Sequence, residues 1–331
     1  MRIFVVGDWI SGTGPSNVTK YYIEYLPQGT LYQKMKGKLA RVPELIVKII
    51  RADVIVFSGY SKQNVLGMEL AKLFGRPTAY IMHGCVEYEN EINLEPDDRM
   101  NRVERKTLEL ADRVYAVSSI FAEWLREYYP EYADKIDYIT NGVDIELKEK
   151  LGDYKDKLCD EHLVVSIGGG MRRKQIRYIC EAIEMLRRDF DDKLRLIVVG
   201  DKGADTNIIN SYSFVENRGI VSFDEVTTLL RKAKVFVQNS CFETFGLAPI
   251  EAALCGCHVL LSRHVGALSL FEDLPPGNII NDYSDAKEIA DKLKGLLELE
   301  GGDKKYIDNL DWERYSWKNR SIELIEKLEK L

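Results

Sequence analysis

Short apolar runs rich in valine and isoleucine alternate with amphipathic stretches along almost all of this 331-residue chain. In the first half the runs are Ile3–Gly7, Val54–Ser58, Thr78–Met82, Val114–Val117 and Ile136–Ile139. Between them lie Val18–Leu26, Lys62–Phe74, Arg99–Leu110 and Ile120–Tyr128, which read as helices. The pattern then repeats. Leu163–Ile167, Leu194–Gly200, Val235–Gln238, His258–Leu261 and Asn278–Ile280 read as strands, and Ile176–Arg188, Glu225–Lys232, Leu247–Leu254 and Ala286–Glu298 as helices. A continuous β-branched run has no polar face, so it suits a strand covered on both sides, and strands separated by helices pair in parallel. The length exceeds what one hydrophobic core commonly holds, which predicts two doubly wound α/β domains. Lys148–Glu161, charged and carrying Gly152, reads as the linker between them. Trp312–Leu331 reads as a closing amphipathic helix. Two such domains facing each other put a ligand cleft at the carboxyl ends of their strands.

Bulk properties narrow the class. Hydrophobic residues make up 45% and charged residues 30%, and the net charge of −7 disfavours a general nucleic-acid binder. No uncharged apolar run is long enough to span a membrane. Met1–Gly7 reads as a first strand rather than a signal peptide. The six cysteines, Cys85, Cys159, Cys180, Cys241, Cys255 and Cys257, form no metal-binding spacing, and they read as small buried residues of a reducing, cytoplasmic compartment.

The chemistry concentrates in Glu243-Thr244-Phe245-Gly246-Leu247-Ala248-Pro249-Ile250-Glu251. Glu243 falls in a strand-to-helix loop and Glu251 on the second turn of the helix. Between them, N–H groups at a helix start suit an anion such as phosphate. A carboxylate accepts two hydrogen bonds from a vicinal diol. Carboxylate, N–H cluster and carboxylate together make a cradle for sugar, phosphate and ribose.

Two glycine-bearing loops follow strands in the same way. The first is Gly7 to Asn17, with Gly12 and Gly14; it lacks the full dinucleotide spacing because Asn17 stands at the last glycine position. The second is Gly168-Gly169-Gly170, followed by Met171-Arg172-Arg173-Lys174. Three cations at a helix start oppose the dipole unless an anion sits among them, which predicts a diphosphate site using Lys174 and one arginine. His83 follows a strand and precedes Gly84, a cleft position from which it could donate to a sugar hydroxyl. Asp189-Phe190-Asp191 reads as a surface turn rather than a metal motif. Residues 33–51 carry Lys34, Lys36, Lys38, Arg41, Lys48 and Arg51 against only Glu44, with an apolar stripe: either a helix packed on its own domain or a contact for anionic lipid.

This constellation resembles the GT-B glycosyltransferases, specifically the retaining, group 1 family 4. The likeness covers nearly the whole chain and is most specific from Val235 to Leu261, where Glu243 and Glu251 match the family's Glu-x7-Glu motif. Thr140-Asn141-Gly142-Val143-Asp144 matches its turn before the interdomain segment. Ser118 and Tyr315-Ser316-Trp317 also match. The resemblance implies an acceptor-side Rossmann-like domain at 1–150, with helix 312–331 packing back on it, and a donor domain at 151–311. It implies that Lys174 binds donor pyrophosphate, Glu243 the sugar hydroxyls, the N–H groups of Phe245, Gly246 and Leu247 sugar and phosphate, and Glu251 the ribose. His83 would contact the transferred sugar, and the Gly12–Gly14 loop would border phosphate and acceptor. Two departures stand out: glycines replace the family's usual arginine, with Arg172 and Arg173 directly before Lys174, and Val265-Gly266-Ala267-Leu268-Ser269 lacks the family's acid.

The resulting expectation is a metal-independent retaining glycosyltransferase. It would move a hexose-type sugar from a nucleoside-diphosphate sugar, a co-substrate rather than a cofactor, to a glycan, lipid-linked or small-molecule acceptor. Cell-surface glycan or glycolipid synthesis, at the inner face of the membrane, fits this reading. The alternatives are a catalytically weak nucleotide-sugar-binding subunit, or a related phosphorylase or epimerase.

Overall fold

The computed structural model describes residues 1–35, 38–151, 159–299 and 305–331. Contacts divide the chain into two units. Unit 1 comprises Met1–Asn90, Pro96–Asp144 and Trp312–Leu331; unit 2 comprises Glu91–Glu95 and Ile145–Asp311.

Unit 1 contains β1 (Ile3–Val6), β2 (Leu31–Tyr32), β3 (Val54–Ser58), β4 (Thr78–Met82), β5 (Arg113–Ala116) and β6 (Ile136–Tyr138). They form one sheet in the order β2-β1-β3-β4-β5-β6, parallel throughout. Every residue of β1, β3 and β4 is buried, as expected of central strands with helices on both faces. Unit 2 contains β7 (Asp160–Ile167), β8 (Arg195–Val199), β9 (Val215–Gly219), β10 (Ala233–Gln238), β11 (His258–Ser262) and β12 (Ile279–Ile280). Their order is β12-β11-β10-β7-β8-β9, again all parallel. The strand order reverses beside β7 and β10, the switch point where open sheets of this kind hold ligands.

Two strands went unread in the sequence. β2 has only two residues, and β9 is the polar run Val215-Glu216-Asn217-Arg218-Gly219, whose alternating burial is that of a sheet edge. The linker expectation also changes at both ends: Lys148 to Leu151 complete helix Ile145–Leu151, Asp160 opens β7, and residues 152–158 lie outside the described part.

Each unit has a specific fastening. In unit 2, Ile176, Ile179, Cys180, Ile183 and Leu186 form one buried stripe of helix Ile176–Asp189 and share a core with Ile289, Leu293 and Leu296 of helix Ala286–Leu297. In unit 1, the last helix, Trp317–Leu328, is capped by Ser316, whose hydroxyl accepts from the Asn319 N–H. Trp317 stacks on Tyr21 with ring centroids 4.7 Å apart and packs against Gly142. A buried ring of this size contributes roughly 3–5 kcal/mol against alanine. Val143 bridges to Ser316, so the 140–144 turn and the closing helix are locked together.

Candidate functional site

The site in unit 2 is built at the ends of β7 and β10. β10 runs out at Gln238 and helix Ala248–Leu254 begins ten residues later, with Glu243 in the loop between. The helix starts one residue later than Leu247, so Glu251 sits in its first turn rather than its second. The loop is stapled to the segment after β11. Gly266 N–H donates to Glu243 O (2.9 Å), Ala267 N–H to Phe245 O (2.7 Å), and Glu243 N–H to His264 O (3.3 Å). The stretch that lacks the family's acid thus has a backbone role here. Gly246 adopts φ +83°, and a Cβ there would stand 3.1 Å from Glu243 Cγ and from Gln238 Nε2, so glycine fits both the turn and the space. The N–H groups of Phe245, Gly246 and Leu247 meet no acceptor among the described residues.

Glu243 is the centre of a cation clamp. Its Oε2 accepts from Lys174 Nζ, from Arg173 (3.1 Å) and from Gln238 Nε2 (3.2 Å). Burial opposes ionisation of this carboxyl, but the charges of Lys174 and Arg173 and their hydrogen bonds outweigh it and lower it to about 2. Glu251 contrasts with it. Its side chain makes no hydrogen bond or ion pair among the described residues, and burial alone pushes its carboxyl up. One carboxylate is therefore fixed and ionised, the other uncompensated.

The three cations do not begin a helix, as the sequence suggested. Arg172–Lys174 form a 3₁₀ turn, and Gln175, at φ +51°, separates it from helix Ile176–Asp189. The turn sends neighbouring side chains apart. Arg173 and Lys174 reach Glu243, whereas Arg172 and Arg177 face the buried Asp205, each at 3.9 Å. Sequence reasoning missed Gln238 and Asp205. A glutamine closing an apolar run was a readable signal for the first; nothing local marked the second. Asp189 pairs with Arg188, and Asp191 with His162 Nδ1 (2.6 Å), in keeping with a surface turn. No group of metal-ligating side chains occurs among the described residues.

Gly12, Gly14 and His83 belong to unit 1. Thr13 caps helix Gly14–Tyr25, accepting from Ser16 N–H, and side chains at Gly12 and Gly14 would meet open space. The adjacent residues Gly7 to Ser11 line a cavity of about 330 Å³ with Gln33, Lys34, Met35 and Arg41. A second cavity of about 410 Å³ is lined by Lys62, Arg99, Arg102 and Lys106 over Val65 and Val103. His83 follows β4; its Nε2 lies 2.8 Å from Ser58 Oγ, and burial lowers its pKa to about 4. The buried Glu104, also unforeseen, accepts from the N–H groups of Val86 (3.0 Å) and Glu87 (3.2 Å) and holds the start of the helix that follows His83.

The basic segment is less free than its charge count implies. Lys48 pairs with Glu44 (2.5 Å) and the Tyr32 carbonyl, and Arg41 bonds Gln63 and Asn64. Lys36 lies outside the described residues. Val47, Ile50 and Arg51 remain exposed, as do Leu73 and Phe74. No helix among the described residues is long and apolar enough to cross a membrane.

Comparison with known proteins agrees with this architecture. Residues 4–147 match the model "Glycosyltransferase Family 4", and residues 148–311 match "Glycosyl transferases group 1". A D-inositol 3-phosphate glycosyltransferase of Pseudarthrobacter chlorophenolicus is 28% identical over 80% of this chain and 69% of its own. That of Paenarthrobacter aurescens is 26% identical over 73% of this chain, and the match spans 64% of the relative's length. Among solved structures, Anabaena HepE in complex with UDP and glucose superposes with a TM-score of 0.65 at 16% identity, covering 100% of both chains.

Proposed function

Because this chain belongs to the group 1 glycosyltransferases of the GT-B fold, we propose that it transfers a hexose-type sugar, with retention, from a nucleoside-diphosphate sugar to an acceptor hydroxyl. The observation that carries this reading is the clamp of Lys174 and Arg173 on Glu243, beside three N–H groups that meet no acceptor among the described residues. Cleavage of the donor builds negative charge on the departing diphosphate. Fixed cations and N–H donors stabilise that charge without reorganising, so the reaction needs no metal. Glu243, held ionised, accepts hydrogen bonds from sugar hydroxyls; a carboxylate fixed by two cations is a poor nucleophile. Glu251 receives the ribose diol, which supplies the hydrogen bonds its buried carboxylate does not find among the described residues. His83 contacts the transferred sugar. The Gly12–Gly14 loop borders phosphate and acceptor.

The test begins with a thermal-shift screen of nucleotide sugars, followed by transfer assays with chelator present. The acceptor panel includes phosphorylated sugars and polyols, in view of the four cations around Val65 and Val103 and the substrates named for the relatives. Glu251→Ala is expected to raise the donor KM about 10–100-fold, since hydrogen bonds to a charged group contribute roughly 1.5–3 kcal/mol. Its kcat should stay within about threefold, because the ribose is bound alike in ground and transition states. Nucleotide binding without turnover across the panel would favour the binding-subunit alternative.

A peripheral contact with anionic membrane, at the inner face, belongs to the same reading in a reduced form. It rests on Val47, Ile50 and Arg51 with Leu73 and Phe74, not on the whole cationic run. Cosedimentation with anionic vesicles is expected to fall severalfold in Ile50→Asp; equal binding to neutral vesicles would remove the proposal.

A further inference from the structure

His83 is joined through Nε2 to a hydrogen-bonded chain that links three β–α units of unit 1. Its Nε2 lies 2.8 Å from Ser58 Oγ, the last residue of β3. Ser58 Oγ lies 2.6 Å from Thr19 Oγ1, and Thr19 Oγ1 lies 3.0 Å from the Pro15 carbonyl oxygen one turn earlier in helix Gly14–Tyr25. Ser58 and Thr19 are buried, so water does not compete for these bonds.

The direction of the chain is set at Pro15. A carbonyl only accepts, whereas each hydroxyl has a single hydrogen to give. With Thr19 donating to Pro15 O, its oxygen accepts from Ser58. With Ser58 donating to Thr19, its oxygen accepts from His83. Every hydrogen therefore runs toward Pro15, and the imidazole must carry one on Nε2.

We propose that Thr19 and Ser58 are positioning residues that hold His83 as its Nε2–H tautomer. A neutral ring so held has its lone pair on Nδ1, and whatever meets Nδ1 must be a hydrogen-bond donor, such as a hydroxyl. This reverses the sense suggested by the sequence, in which His83 donates to a sugar hydroxyl. The consequence for sugar recognition rests on the transfer reading above; the tautomer itself does not. Burial, which keeps the imidazole uncharged at neutral pH, supports the same state.

The test is a long-range ¹H–¹⁵N correlation spectrum of the full chain labelled at histidine, with the His83 signals assigned by difference from His83→Gln. The wild-type protein at neutral pH is expected to show a protonated Nε2 and a lone-pair Nδ1. In Thr19→Val, Ser58 loses its acceptor and its hydroxyl can turn to His83, so the Nδ1–H tautomer should become a major species. Thr19→Ser restores the chain and should restore the wild-type spectrum. Turnover is a separate readout: Thr19→Val should lower kcat about tenfold, the worth of one hydrogen bond, with Thr19→Ser near wild type. A wild-type ring protonated on Nδ1 overturns the proposal whether or not the variants fold. So does a folded Thr19→Val with an unchanged tautomer. The expected spectra in a protein without transfer activity would instead sink the transfer reading and leave the tautomer assignment standing.

Discussion

Lys174→Ala should lower kcat/KM for sugar transfer by about 10³-fold, the scale seen when one preorganised donor to a developing negative charge is removed. Lys174 is largely buried, and its ammonium meets Glu243 Oε2 at the centre of the clamp. Its loss acts twice. The departing diphosphate loses a fixed cation, and Glu243 loses the stronger of the two charges that offset its burial. The second effect has a pH signature. The Glu243 carboxyl is depressed in the folded state, to about 2, so it contributes stability that is fully present above its unfolded value and lost as pH falls through about 2. In Lys174→Ala the folded value moves back up, this contribution shrinks, and acid unfolding should set in at higher pH than in wild type. Steady-state kinetics with a donor found by the screen and an acid-denaturation curve check both halves. Because Lys174 and Glu243 share one interaction, the double alanine variant should cost much less than the sum of the single ones. Turnover of Lys174→Ala equal to wild type would remove the phosphate-side assignment altogether.

The sequence made some parts of this molecule legible and hid others, for physical reasons. β3 and β4 begin and end where their apolar runs do, because strands buried on both faces allow no polar residue inside them. β2 and β9 lie at or near sheet edges, where burial is partial and that constraint lapses. Glu243, Gly246 and Glu251 were readable because loop and helix start are contiguous in the chain, so their spacing carries their geometry. The choice between Arg172 and Arg173 was not. It depends on Asp205, brought in by the turn after β8, and on a 3₁₀ turn that a run of three cations does not announce. Likewise Thr19, Ser58 and His83 come from a helix, a strand end and a loop that lie far apart in the chain. Only parallel pairing of their strands brings them together, so no spacing rule could have found the chain.

Gly169→Ala should be the most damaging small substitution in unit 2, costing about 2–5 kcal/mol. Two independent terms add. The residue adopts φ +56°, where an L side chain costs roughly 1–2 kcal/mol. A Cβ there would also stand 1.9 Å from the Asp201 carbonyl oxygen and 2.6 Å from the Gly200 carbonyl carbon. Those are backbone atoms, which cannot swing aside as a side chain does, and such overpacking costs roughly 1–3 kcal/mol. Relief is further blocked because the two turns are bonded to each other: Gly169 N–H donates to Val199 O (2.9 Å) and Gly170 N–H to Asp201 O (2.8 Å). The expected fall in the melting temperature of unit 2 is on the order of 10 °C. Gly277→Ala is the control: no atom lies within 4 Å of its Cβ position, and the change should stay within about 0.5 kcal/mol. Calorimetry that resolves unit 2 decides the matter. If Gly169→Ala melts with wild type, the glycines after β7 are not held against the turn after β8. Lys174, a few residues further on, would then owe its position to something other than this interlock.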